Sequence, residues 1–72
     1  MKELHPGDQG ILVSYMQLAL RRAGYEVTVD GDFGPKTCRA LEAFIGENKA
    51  CVVNDAVWNT FLPYLRGFTA HI

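Results

Sequence analysis

The residues best suited to chemistry lie close together, between Tyr25 and Arg39. Asp30-Gly31-Asp32-Phe33-Gly34 has the composition of a turn, in which an Asp side chain can bond nearby backbone and Gly accepts a positive φ. Pro35 follows, and it suits the first position of a helix, where its missing N–H costs nothing. A helix starting there aims free amides and the positive end of its dipole at the turn. Lys36 and Arg39 fall in the first two helical turns and add positive charge. Tyr25 precedes the turn and offers an aromatic wall with a hydroxyl. This grouping suits an anionic or carbonyl-bearing ligand. It equally suits a turn with a structural role only, in which Asp30 braces its own backbone.

Other reactive side chains do not assemble. Asp30 and Asp32 resemble the start of a calcium loop, but Leu41 stands where that loop needs a bidentate Glu. Glu42 and Glu47 belong to the outer face of a helix, and Ser14 sits mid-helix with no base beside it. Neither His5 nor His71 has a carboxylate or thiol at a revealing spacing. No catalytic residue is assigned, and the chain reads as a non-enzyme. Cys38 and Cys51 have no C-x-x-C or H-x-x-x-H context, so no metal site and no cofactor are expected. If the helix holding Cys38 runs to Asn48, it carries the chain ~15 Å away. The step from Asn48 to Cys51 returns at most ~10 Å. A disulfide needs Cα atoms within ~7 Å, so two buried free thiols are expected.

Those residues need a scaffold, and the composition limits its kind. The chain has 72 residues, 49% of them hydrophobic, with Lys plus Arg 7 against Asp plus Glu 8 and a net charge of −1. It is too apolar and too weakly charged to be disordered. It lacks the basic excess of a nucleic-acid binder. No apolar run approaches the roughly 18 residues of a membrane span, and no basic-then-apolar leader encodes a signal peptide. A domain this short buries only about 60% of its unfolded surface. Most apolar residues must therefore hold the fold, which leaves little for a deep cleft.

The periodicity predicts an all-α, monomeric, compact orthogonal bundle of three helices near residues 8–23, 35–47 and 55–62. Val13, Met16, Gln17 and Leu20 form one face of the first helix. Asp8 is its expected N-cap, and Gly24 with Tyr25 its expected terminator. Asn54 or Asp55 can cap the third helix, which Pro63 should end or kink. A very short two-stranded ribbon between Val27–Val29 and Val52–Val53 is the one sheet element allowed. The expected core is Leu12, Val13, Met16, Leu20, Val29, Phe33, Leu41, Phe44, Val53, Trp58, Phe61 and Leu62. The approach to the third helix echoes the approach to the second: an apolar extended pair, a polar turn, then a helix bearing an aromatic face.

Two longer patterns carry a resemblance. The first is Gly7-x-x-Gly10-x-x-Val13-x-x-Met16-Gln17-x-x-Leu20-x-x-x-Gly24-Tyr25. The second is Val29-Asp30-Gly31-x-Phe33-Gly34-x-x-Thr37-x-x-Ala40-Leu41-x-x-Phe44, with Trp58-x-x-x-Leu62 after it. Together they resemble the peptidoglycan-binding domain of bacterial and phage cell-wall hydrolases, over residues 4 to about 62. Ile45 stands where that family usually has Gln, and Asn54-Asp55 is what remains of its second Asp-Gly turn. The same fold occurs in matrix metalloprotease pro-segments, but neither Cys here has their extended Pro-Arg-Cys-Gly context.

The resemblance implies a three-helix module without catalysis of its own, spanning residues 1–67. Residues 68–72 would be a tail or linker to a further module. It implies non-catalytic binding of peptidoglycan, through its glycan or its stem peptide. That binding would anchor a hydrolase, or a phage or injection-particle component, to the bacterial wall. Such a protein would reach the wall after export or lysis, with a neighbouring module or particle protein as a further partner and with no nucleic acid or membrane involved. The alternative is a structural interaction or spacer domain that has lost wall binding and uses a flat apolar patch near Phe68 and Ile72. On the wall-binding reading, the site is a shallow one formed by Tyr25, Asp30, Asp32, Lys36 and Arg39, with Trp58 as its floor. Tyr25 and Trp58 could stack on sugars or line a peptide groove; they could equally belong to the core.

Overall fold

The computed structural model describes residues 2–46 and 51–66. Among these the architecture is three helices and no sheet: α1 (Ile11–Arg22), α2 (Pro35–Ile45) and α3 (Asp55–Phe61), followed by a 3-10 turn (Leu62–Leu65). The all-α bundle expected from the periodicity is therefore the observed fold. The tail 68–72 lies outside the described residues.

Local signals account for most helix ends. The Gly24 N–H donates to the Arg21 carbonyl at 3.0 Å and the Tyr25 N–H to the Leu20 carbonyl at 3.0 Å. That reciprocal pair closes α1 as a Schellman motif. Pro35 opens α2, and the Asn54 Oδ1 accepts the Val57 N–H at 3.0 Å to open α3. The first helix departs from expectation. It begins at Ile11 behind Gly10, and no side chain caps it. Asp8 is not the N-cap, because its carboxylate accepts the His5 N–H at 2.9 Å and closes the preceding turn.

The core gathers Val13, Met16 and Leu20 of α1, Leu41 of α2, Trp58 and Phe61 of α3, and Leu65 of the 3-10 turn. Phe44 lies half-buried above it, stacked on Phe61 with ring centroids 4.9 Å apart. Leu12 is also half-buried, while Val29 and Leu62 are exposed. These four are corrections to the expected core, and Leu4, Val27 and Leu65 take the buried places instead.

Leu4 is buried because its backbone pairs with Val53, N–H to carbonyl in both directions at 3.0 and 2.9 Å. The ribbon between Val27–Val29 and Val52–Val53 is not formed, and Val53 pairs with Leu4 instead. Trp58 is sealed into the same region, its Nε1–H donating to the Lys2 carbonyl at 2.8 Å.

The cysteines overturn a second expectation. Cys38 and Cys51 form a disulfide, with Cα atoms 5.5 Å apart. The free-thiol reading assumed that α2 continues to Asn48. Instead it ends at Ile45, and Gly46 takes the left-handed conformation, with φ 78°, that stops a helix. The outward run from Cys38 is thus only roughly 10 Å. The step from Gly46 to Cys51 can return roughly 17 Å, so closure is easy. The bond ties α2 to the segment that precedes α3.

Candidate functional site

One buried amide organises the turn before α2. Gln17 has no exposed surface, although it lies on the apolar face of α1. Its Oε1 accepts the N–H of Asp30 at 3.0 Å and of Gly31 at 2.9 Å. Its Nε2 lies 2.9 Å from Asp30 Oδ1, 2.9 Å from the Asp32 carbonyl and 3.0 Å from Thr37 Oγ1. Two protons serve those three acceptors. Buried polar atoms need such partners, and here satisfying them fixes the turn against both α1 and α2.

The chain leading into α1 completes the mould. The Gly10 N–H donates to the Gly31 carbonyl at 3.0 Å, and Gly7 and Phe33 bond across the same gap. Gly31 has φ 78°, and a Cβ there would stand 3.2 Å from Ser14 Oγ and 3.4 Å from the Gly10 carbonyl oxygen. The positive φ favours glycine at this point, and the Ser14 hydroxyl would have to give by a few tenths of an ångström to admit a Cβ.

Asp30 braces this turn. Its Oδ1 accepts the Asp32 N–H at 3.0 Å as well as the Gln17 amide. The Asp32 N–H, and then the Gln17 amide, hold its carboxyl below the usual carboxylate range. A depressed folded-state pKa means that the group's contribution to stability is complete above its unfolded value, about 4. The contribution is lost as pH falls through the lower folded value. Asp30→Asn is expected to flatten the acid limb of stability below about pH 4, as read from urea midpoints across an acid pH series. An unchanged acid limb would contradict the brace.

Two adjoining pockets, of about 510 and 520 Å³, run between the segment after α1 and the first half of α2. Val27, Thr28, Lys36 and Arg39 line both, so they form one open groove. Tyr25 and Glu26 stand at one end, Asp30 and Asp32 at the other. Five of the six residues singled out from sequence thus border one surface: Tyr25, Asp30, Asp32, Lys36 and Arg39. Trp58 does not join them, being only 2% exposed and packed edge-on against Phe61. Tyr25 is half-buried, its ring against the edge of Phe44 and its hydroxyl donating to the Ala43 carbonyl at 3.5 Å.

Sequence reasoning missed Gln17 as the organiser, and Glu26, Val27 and Thr28 as a wall. The available signal was a lone amide on an otherwise apolar helix face. Phe68 and Ile72, on which the interaction-domain alternative relied, lie outside the described residues. The same is true of His71, while His5 bonds Glu3 at 2.8 Å. Among the described residues, the one metal-type cluster is Cys38, Glu42 and Cys51. Its sulfurs are tied in the disulfide, and metals need free thiolates. No described helix is long and apolar enough to cross a membrane.

Comparison with known proteins agrees with this architecture. A family described as "Predicted Peptidoglycan domain" matches residues 12–60. The crystal structure of a Burkholderia AP3 phage endolysin superposes with a TM-score of 0.74 at 33% identity, covering 83% of this chain and 24% of that one. A peptidoglycan-binding protein from Clostridioides difficile, in complex with glutamine hydroxamate, gives 0.74 at 28% identity, covering 83% of this chain and 40% of its own. The matched part of the chain therefore covers 24% of the first of these proteins and 40% of the second. No curated protein matches it in sequence. From the first helix to the third, with the moulded turn between them, the chain belongs to the peptidoglycan domain family.

Proposed function

We propose that this domain is a non-catalytic module that holds a larger protein, a wall hydrolase or a phage or injection-particle component, on bacterial peptidoglycan. The observation that supports this most is the open groove between Tyr25 and Arg39, which Lys36 and Arg39 line along its length in a domain of this family. Its scaffold is rigid, because the Gln17 bonds and the Gly31 contact set the turn independently of any ligand. Lys36 and Arg39 are exposed on α2, in the position to meet the carboxylates that peptidoglycan carries.

Co-sedimentation with purified wall sacs tests the proposal. The parent domain is expected to sediment with the sacs. Replacing Lys36 and Arg39 together with Ala should leave folding nearly intact and weaken binding about tenfold at low salt, on the scale of roughly 0.5–1 kcal/mol per exposed charge. The remaining binding should depend less on salt. A folded double variant that binds like the parent at low salt would remove these two residues from the site. A parent that stays in solution would remove wall binding itself.

A further inference from the structure

The groove wall has a property that wall binding alone does not require. From Glu26 to Val29, no backbone N–H or carbonyl enters a hydrogen bond with another described residue. Glu26 is exposed, Val27 buried and Thr28 exposed, the alternation of an extended chain, and Val29 after them is exposed as well, outside any helix. At ~3.3 Å per residue, four such residues present roughly 13 Å of open backbone. Open extended backbone is a template for a second extended chain. The acetamido groups of a glycan come one to a sugar and do not form a continuous ladder of amides.

The aromatic surface points the same way. Sugar rings bind by laying their C–H faces on exposed aromatic faces. Here Tyr25 is half-buried against Phe44 and Trp58 is sealed in the core. The charges are also arranged in two signs. Lys36 and Arg39 line the whole groove, while Glu26 stands at one end and Asp32 at the other. A polyanion would be repelled at both ends, whereas a short peptide with carboxylates and a free amine would be matched.

Resting on the wall-binding proposal, we infer that the groove takes the stem peptide of peptidoglycan and not its glycan. The peptide lies along the Glu26–Val29 backbone. Its carboxylates meet Lys36 and Arg39, and the free amine of a diamino-acid residue meets Glu26 or Asp32.

The probes are the free stem tetrapeptide containing diaminopimelate, the same peptide acetylated on its side-chain amine, and a chito-tetraose glycan. Each is titrated into the ¹⁵N-labelled domain. The tetrapeptide is expected to shift the amides of Glu26 to Val29 together with Lys36 and Arg39. Acetylation should weaken binding about tenfold, and the glycan should shift none of these amides. Thr28→Pro removes one backbone N–H at an exposed position and should weaken the peptide about tenfold. Thr28→Ala keeps that N–H and should lose far less than Thr28→Pro, which separates backbone recognition from side-chain loss. Should Thr28→Pro fail to fold, the shift pattern of the parent decides alone. Glycan shifts in the groove, or peptide shifts elsewhere, overturn the inference. So does a domain that sediments with wall sacs but ignores the free peptide, and that outcome leaves the wall-binding proposal standing. Failure to sediment removes both.

Discussion

Gln17→Leu is expected to destabilise the domain by about 2–6 kcal/mol. Leucine fills similar space but offers no oxygen to the Asp30 and Gly31 N–H groups and no proton to Asp30, Asp32 or Thr37. Each buried donor left without an acceptor costs about 1–3 kcal/mol, and two are orphaned here. A chain of this length has a total stability of about 4–11 kcal/mol, so the variant should be partly or wholly unfolded at room temperature. Urea denaturation followed by circular dichroism measures the loss. In any folded remainder, the Gly31 amide should exchange with solvent much faster than in the parent. A loss under about 1 kcal/mol would mean that water replaces the amide without cost, and that the turn does not depend on Gln17.

Breaking the disulfide should cost nearly as much. Cys38 and Cys51 are 13 positions apart. Closing a loop of about 15 residues removes roughly 3 kcal/mol of freedom from the unfolded chain. Reduction, or the double replacement Cys38→Ser with Cys51→Ser, should therefore lower the melting temperature by about 12–24 °C, at ~4–8 °C per kcal/mol for a domain of this size. The folded structure should survive at low temperature, because, although Cys51 lies in the core, most of it, around Phe61 and Leu20, is made of other side chains. A thiol assay in denaturant without reductant should find no free thiol among the two cysteines. Two thiols per chain would contradict the bond, and an unaltered melting temperature on reduction would contradict its contribution to stability.

The two predictions concern residues that sequence reasoning handled poorly, and for one shared reason. Gln17 falls on the apolar stripe of α1, so periodicity predicts its burial but does not reveal what its polar atoms meet. Those partners lie 13 to 20 positions further along the chain. The cysteine pair failed on a small local error, the length of α2. Extending the helix past Gly46 lengthened the outward path and shortened the return, and together these forbade a bond that the true geometry permits.

What the sequence by itself determined is what depends on neighbours a few positions apart. Pro35 at the start of α2, the Asn54 cap, the Gly24–Tyr25 terminator of α1 and the Pro63 break after α3 are all of this kind. So are the three amphipathic faces, and with them the all-α class. The Asp-Gly-x-Phe-Gly turn in register with the preceding Gly-Tyr also pointed to the family. Only the tertiary structure decided that Leu4 takes Val53 as its partner and that Trp58 lies under Lys2 instead of beneath a ligand. It alone set Glu26 to Thr28 opposite Lys36 and Arg39 to make a groove. Each of these joins residues far apart in the chain, and their meeting depends on how the helices pack. Helix packing follows from the summed fit of the whole core, which no local pattern of residues encodes.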